Sequence, residues 1–152
     1  KNNTTIPVVT GEAHYTRNGF REIFDKRAAD IINPDICNTG GILELTQIAA
    51  MAQPHYIAVS PHGYNSTSIG CAAAVHASAT IPNFLIYEYF VNVEDVCRNI
   101  TKGYLEPNNS YIELPAEPGL GIEIDETKLA DYPYAPFPPR DIRTVEDERR
   151  WH

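Results

Sequence analysis

The sequence is poor in cysteine, in positive charge and in long apolar runs, and each shortage excludes something. Three cysteines, Cys37, Cys71 and Cys97, are too few for a disulfide scaffold, and their spacing fits no zinc or redox pattern. Free buried thiols in a reducing compartment, the cytoplasm, are expected. The 12 Lys and Arg are outnumbered by 20 Asp and Glu, a net charge of −8, which argues against nucleic acid as a partner. A small anionic substrate stays compatible, because a bound divalent cation dominates its local field. No apolar run approaches the roughly 20 residues that span a bilayer, so no membrane partner is expected. Lys1 to Thr5 is polar, with no signal-peptide core behind it. Triplets such as Asn99-Ile100-Thr101 are frequent by chance and carry no glycosylation reading.

What is present is a globular composition: 152 residues, 43% apolar, enough for one domain or for part of a larger one. The sequence opens on Lys1, without Met, and runs almost at once into an apolar strand, from which a truncated chain is expected.

Residues 6–10 form a short apolar run stopped by Gly11, a buried strand by pattern. Phe20, Ile23, Phe24 and Ala28 then recur at helical spacing over Gly19 to Ala29. Ile31 and Ile32 begin a second strand, stopped by Asn33-Pro34-Asp35, and Gly40-Gly41 opens a helix striped by Ile42, Leu45, Ile48, Ala49 and Ala52. Residues 57–59 read as a third strand, 68–79 as a small-residue helix apolar almost all round, and 85–87 as a fourth strand. The order βα, βα, βα, β, with helices long enough for right-handed crossovers, predicts an α/β fold whose parallel sheet is covered by helices on at least one face. Doubly wound and barrel forms both fit. Beyond Glu88 the texture changes: a short helix is expected over 93–103, and short strands over 111–114 and 121–125. Prolines at 133, 136, 138 and 139 predict extended chain to Arg140, and Glu146 to Arg150 reads as a solvated end.

The ionisable residues carry the functional signal. Glu12, Asp35, His62 and Glu88 each fall just after a predicted strand, at intervals of 23, 27 and 26 residues, one βα unit each. Neighbouring parallel strands lie about 4.8 Å apart, so equivalent ends project into one mouth, where such sheets place their chemistry. An Asp35 carboxylate beside His62 would fix its tautomer and raise its proton affinity, which suits a general base. Glu12 is a hard oxygen ligand of the kind magnesium takes, and Glu88 could donate to a developing oxyanion. Each position alone has a plainer reading, as helix cap or loop residue. His14, His55, His76 and His152 are read as surface or packing residues. Arg17 could steady a substrate carboxylate, although a solvated side chain is the plainer reading. Gly40-Gly41 more simply allows close helix packing than anion binding.

Four stretches in this order resemble the mandelate racemase and muconate lactonising group of the enolase superfamily, and most of all its acid-sugar dehydratases of the D-galactonate type. They are Ile6-Pro7-Val8-Val9-Thr10-Gly11-Glu12, Asn33-Pro34-Asp35 with Gly40-Gly41-Ile42, Ser60-Pro61-His62, and Pro82-Asn83-Phe84-Leu85-Ile86-Tyr87-Glu88. The resemblance implies strands five to eight of a (β/α)8 barrel over residues 1–104. Residues 105–152 would then be an extended segment returning to an α+β capping domain. It implies Glu12 as a ligand of Mg2+, Asp35 and His62 as the acid/base dyad, and Glu88 as a contact to the substrate carboxylate. The reaction implied is dehydration of an aldonate or aldarate to a 2-keto-3-deoxy acid through an enediolate, in a homo-oligomeric cytoplasmic enzyme. Racemisation or cycloisomerisation, or a non-catalytic fragment of a barrel, are the alternatives. The mannonate-dehydratase branch resembles this chain less, carrying Arg where Asp35 stands and an acid where Ser66 stands. Two further metal carboxylates and a second acid/base would lie outside the chain.

Overall fold

The computed structural model describes residues 1–64, 66–134 and 136. Its first sheet has three parallel strands, β1 (Val9–Thr10), β2 (Ile31–Ile32) and β3 (Ala58–Val59), in the order of the chain. Val9 pairs with Ile31 and Ile31 with Ala58; Thr10 pairs with Ile32 and Ile32 with Val59. Helix α1 (Thr16–Asp25) crosses from β1 to β2, α2 (Ile36–Thr39) and α3 (Ile42–Ala52) lie between β2 and β3, and α4 (Thr67–Ser78) follows β3.

Side-chain alternation sorts each strand into two faces. Ile32 and Val59 are fully buried and meet Phe20, Ile23 and Phe24 of α1, Leu45, Ile48 and Ala49 of α3, and Ala74 and Ala77 of α4. The opposite face is bare by comparison: Val9 is exposed, and Ile31 and Ala58 are intermediate. Burial on one face is what the pattern predicted, and it makes this an α/β fold with a parallel sheet. The expected stripe on α3 is buried except at Ile42, which is exposed beside Gly41 at the helix start. Helix α4 is buried nearly all round, as its small residues predict.

The expected fourth strand is present only in part. The chain runs parallel to β3, with Val59 N–H donating to Asn83 O (2.9 Å) and Leu85 N–H to Val59 O (2.8 Å), yet a single bridge, Val59 to Phe84, is formed. The next rung needs a donor at Pro61, which has no N–H. Pairing resumes at Glu88 N–H to Pro61 O (3.1 Å), one residue later than an unbroken register would give. Because strand side chains alternate, that single extra residue re-aims everything after it.

Farther along, α5 (Glu94–Ile100) is shorter than the expected helix because residues 101–102 turn extended as β4 (Thr101–Lys102). β4 pairs antiparallel with β5 (Glu123–Ile124), which leads into α6 (Glu126–Leu129). No strand forms over 111–114. Instead Asn108 and Tyr111 bridge across a tight turn at Asn109 and Ser110 (φ 49° and 68°), and Tyr111 and Leu114 are exposed with no flanking strand. The expected extended run to Arg140 is described only as far as residue 136, and the charged end and His152 lie outside the described residues. Among the described residues no helix is long and apolar enough to cross a membrane.

Candidate active site

Three loops and one irregular strand bring Glu12, Asp35, His62 and Glu88 together around a single imidazole. His62 Nδ1 lies 2.8 Å from Asp35 Oδ2; His62 Nε2 lies 3.0 Å from Glu12 Oε2 and 3.6 Å from Glu88 Oε2. All four sit at the C-terminal ends of parallel strand positions, as their spacing predicted.

Local backbone chemistry fixes each one. Gly11 turns the chain at the end of β1 with φ +138°, and a Cβ there would stand 2.8 Å from the Phe20 ring, so the residue that aims Glu12 has to be glycine. Asp35 caps α2: its Oδ1 accepts from Cys37 N–H at 2.8 Å while Oδ2 serves His62. Asp35 is therefore a helix cap through one oxygen and the partner of His62 through the other. His62 N–H donates to Pro34 O (3.1 Å), which makes Asp35 and His62 backbone partners as well. Glu88 receives Gly63 N–H at 3.4 Å through Oε2.

Exposure divides the four into a covered pair and an open pair. The side chain of Asp35 is 4% exposed and that of His62 13%, whereas Glu12 and Glu88 are 61% and 57% exposed. An ionised carboxylate only accepts, so Asp35 fixes the proton of the buried edge on Nδ1. Nε2 faces the mouth, between the Glu12 and Glu88 carboxylates. The ring of Tyr64 stands 6.1 Å from that of His62 and 4.7 Å from Phe90, an aromatic flank to the mouth.

Beneath Gly63 the ground is apolar and protonated. Burial pushes the Cys71 thiol up to about 11, and burial, with Cys71 beside it, holds the Tyr87 phenol well above its usual range. The three cysteines are free; Cys71 and Cys97 are buried as expected, but Cys37 is exposed.

Other expectations sort by partner. Arg17 is committed to Glu44 through Nε–H (3.0 Å) and its backbone N–H (2.6 Å). His14 and His55 pack against Phe20 and Phe24, and His76 Nε2 lies 3.3 Å from Leu120 O. Gly40 and Gly41 are not places of close packing: nothing lies within 4 Å of a Cβ at Gly41. Their φ values of +120° and +92° are what require glycine. Sequence reasoning missed Phe90, Asn38 and Glu44. The signal available for Glu44 was its 27-residue separation from Arg17, the same interval that joins Asp35 to His62.

Glu12 suits a magnesium ion as one ligand: it is a hard oxygen donor at the rim, and its ion partner among the described residues is His62. Among the described residues no group of three or more His, Cys, Asp or Glu side chains is arranged to hold a metal. Magnesium takes about six oxygens, so Glu12 would be one ligand among several.

A helix-backed parallel sheet makes this an α/β protein, and an Asp–His pair and two carboxylates gather at its strand ends. Residues 1–128 match the family described as Enolase C-terminal domain-like, and the chain belongs to that family, within the mandelate racemase and muconate lactonising group. It is 30% identical to a D-galactonate dehydratase family member of Streptomyces bingchenggensis, over 90% of this chain and 33% of the relative. It is 35% identical to D-xylonate dehydratase of Haloferax volcanii, over 80% of this chain and 29% of the relative. Among solved structures, 3,6-anhydro-D-galactonate cycloisomerase from Zobellia galactanivorans superposes with a TM-score of 0.72 at 37% identity, covering 86% of this chain and 37% of that one. The chain spans about a third of the length of the curated relatives it matches.

Proposed function

We propose that this chain supplies the acid/base side of the active site of a Mg2+-dependent sugar-acid dehydratase, as strands five to eight of a (β/α)8 barrel. Residues 1–104 would form that barrel portion, and residues 105–152 the segment that returns to a capping domain. The observation that carries the reading is His62: its Nδ1 is tied to a buried Asp35 and its Nε2 faces an open mouth between Glu12 and Glu88.

In this reading His62 Nε2 takes the proton from the carbon next to the substrate carboxylate. Asp35 holds the ring in the productive tautomer and stabilises the imidazolium that forms. Glu88 contacts the substrate carboxylate or its enolised form. Loss of the neighbouring hydroxyl as water, with a proton supplied to it, then leaves an enol that ketonises to the 2-keto-3-deoxy acid. Glu12 would hold the magnesium ion, which when bound supplies positive charge to the substrate carboxylate. The likeness to dehydratases named for D-galactonate and D-xylonate supports an aldonate or aldarate substrate. We also expect a homo-oligomeric, cytoplasmic enzyme, an environment that suits three unpaired thiols.

One observation favours a second reading. The likeness to a cycloisomerase supports an isomerisation without loss of water as the alternative. Screening the full-length protein against aldonic and aldaric acids decides between them: keto-acid formation is expected, whereas an isomeric product at unchanged mass contradicts dehydration.

A further inference from the structure

The loop that carries Glu12 is gripped by the βα unit that carries Asp35. Asn38, on α2, donates its side-chain N–H to the Glu12 carbonyl oxygen at 3.3 Å. Glu44, in the first turn of α3, accepts both the backbone N–H and the Nε–H of Arg17 on one oxygen, at 2.6 and 3.0 Å. Between these two grips Thr16 has φ +55°, a conformation that a β-branched residue rarely takes and that persists only where surroundings enforce it. The enforcing contact falls on the very next residue.

Glu44 is placed for this work. Its side chain is largely covered where that of Arg17 is half exposed, and the Arg17 backbone N–H and guanidinium hold its carboxyl below the usual carboxylate range. An exposed Arg–Glu pair by itself contributes little. Here a charge-assisted bond to a backbone N–H is added, which fixes the course of the chain as well as a side chain.

We propose that Glu44 is a positioning residue for Glu12: through Arg17 it fixes the 12–17 loop and so holds the Glu12 carboxylate at His62 Nε2. This rests on the reading of Glu12 as a metal ligand and extends it to a residue that touches neither metal nor substrate. Partners that hydrogen-bond a ligand directly commonly change metal affinity by about 10–100-fold, and a residue acting one step farther out is expected at the low end.

The test uses Glu44→Ala, Glu44→Gln and Glu12→Gln in the full-length protein, with Mg2+ affinity read by calorimetry and amide exchange read over residues 13–17. Glu44→Ala is expected to weaken Mg2+ binding by about 10-fold and to speed exchange in that loop, at an unchanged melting temperature. Glu44→Gln, whose amide oxygen still accepts from Arg17, is expected to restore both. Glu12→Gln is expected to lose Mg2+ binding with the loop still protected. Unchanged exchange in Glu44→Ala overturns the proposal, and so does wild-type Mg2+ affinity there when Glu12→Gln has lost it. If Glu12→Gln binds Mg2+ as wild type does, the ligand reading falls, and the exchange result alone decides the clamp.

Discussion

Asp35 and His62 are joined twice. Their backbones pair as a parallel bridge, and their side chains meet at 2.8 Å between Oδ2 and Nδ1. The imidazole therefore leans on a residue whose own position is set by the sheet and by the helix it caps. A side chain held this way keeps its orientation without help from a ligand, which is the physical meaning of preorganisation.

Both oxygens of Asp35 are in use, one for Cys37 N–H and one for His62. An amide has only one acceptor, so Asp35→Asn has to give up the cap or drive His62 into the other tautomer. We expect a loss of about 1 kcal/mol if the cap goes. If the tautomer changes, we expect about a 10²–10⁴-fold fall in kcat of the full-length enzyme. Nitrogen chemical shifts of His62, taken beside the melting temperature, distinguish the two. A variant with neither change would show that the pair is ornamental.

Gly63 has no room for a methyl group. A Cβ there would stand 1.9 Å from Glu88 O and 2.8 Å from the Tyr87 hydroxyl. Gly63→Ala is expected to push the Glu88 segment away from His62 and to destabilise the fold by about 1–3 kcal/mol. Denaturant titration checks the magnitude; stability within error of wild type would mean that the segment yields freely.

Alkaline pH tests the apolar floor below the site. The Cys71 thiol is pushed up to about 11 by burial, from an ordinary 9.0. Above pH 9 the unfolded chain releases this proton while the folded chain keeps it, so stability is complete below 9 and falls as pH rises toward 11. Melting curves at pH 8, 9 and 10 are expected to show the fall begin between 9 and 10, and Cys71→Ser to lessen it. Thiol labelling at pH 8 is expected to modify exposed Cys37 first, with Cys71 and Cys97 reacting on denaturation.

Periodicity made β1, β2, β3 and their helices legible, because apolar spacing reports the face a residue buries. The four site residues were legible because strand ends repeat at one βα unit. What remained hidden depended on contacts across units. The break in the fourth strand follows from Pro61, which is opposite the segment it interrupts and not within it. The Arg17–Glu44 pair needed the packing of α1 on α3. Exposure of Ile42 and Cys37 depended on where two short helices end, which pattern alone locates poorly.

The account is tested most directly at His62. In the full-length enzyme His62→Asn keeps a polar, hydrogen-bonding side chain and removes the proton-accepting Nε2. We predict no detectable keto acid and no exchange of the substrate's α-proton with deuterated solvent, with Mg2+ affinity close to wild type. Solvent deuterium entering that carbon at the wild-type rate in His62→Asn would contradict it.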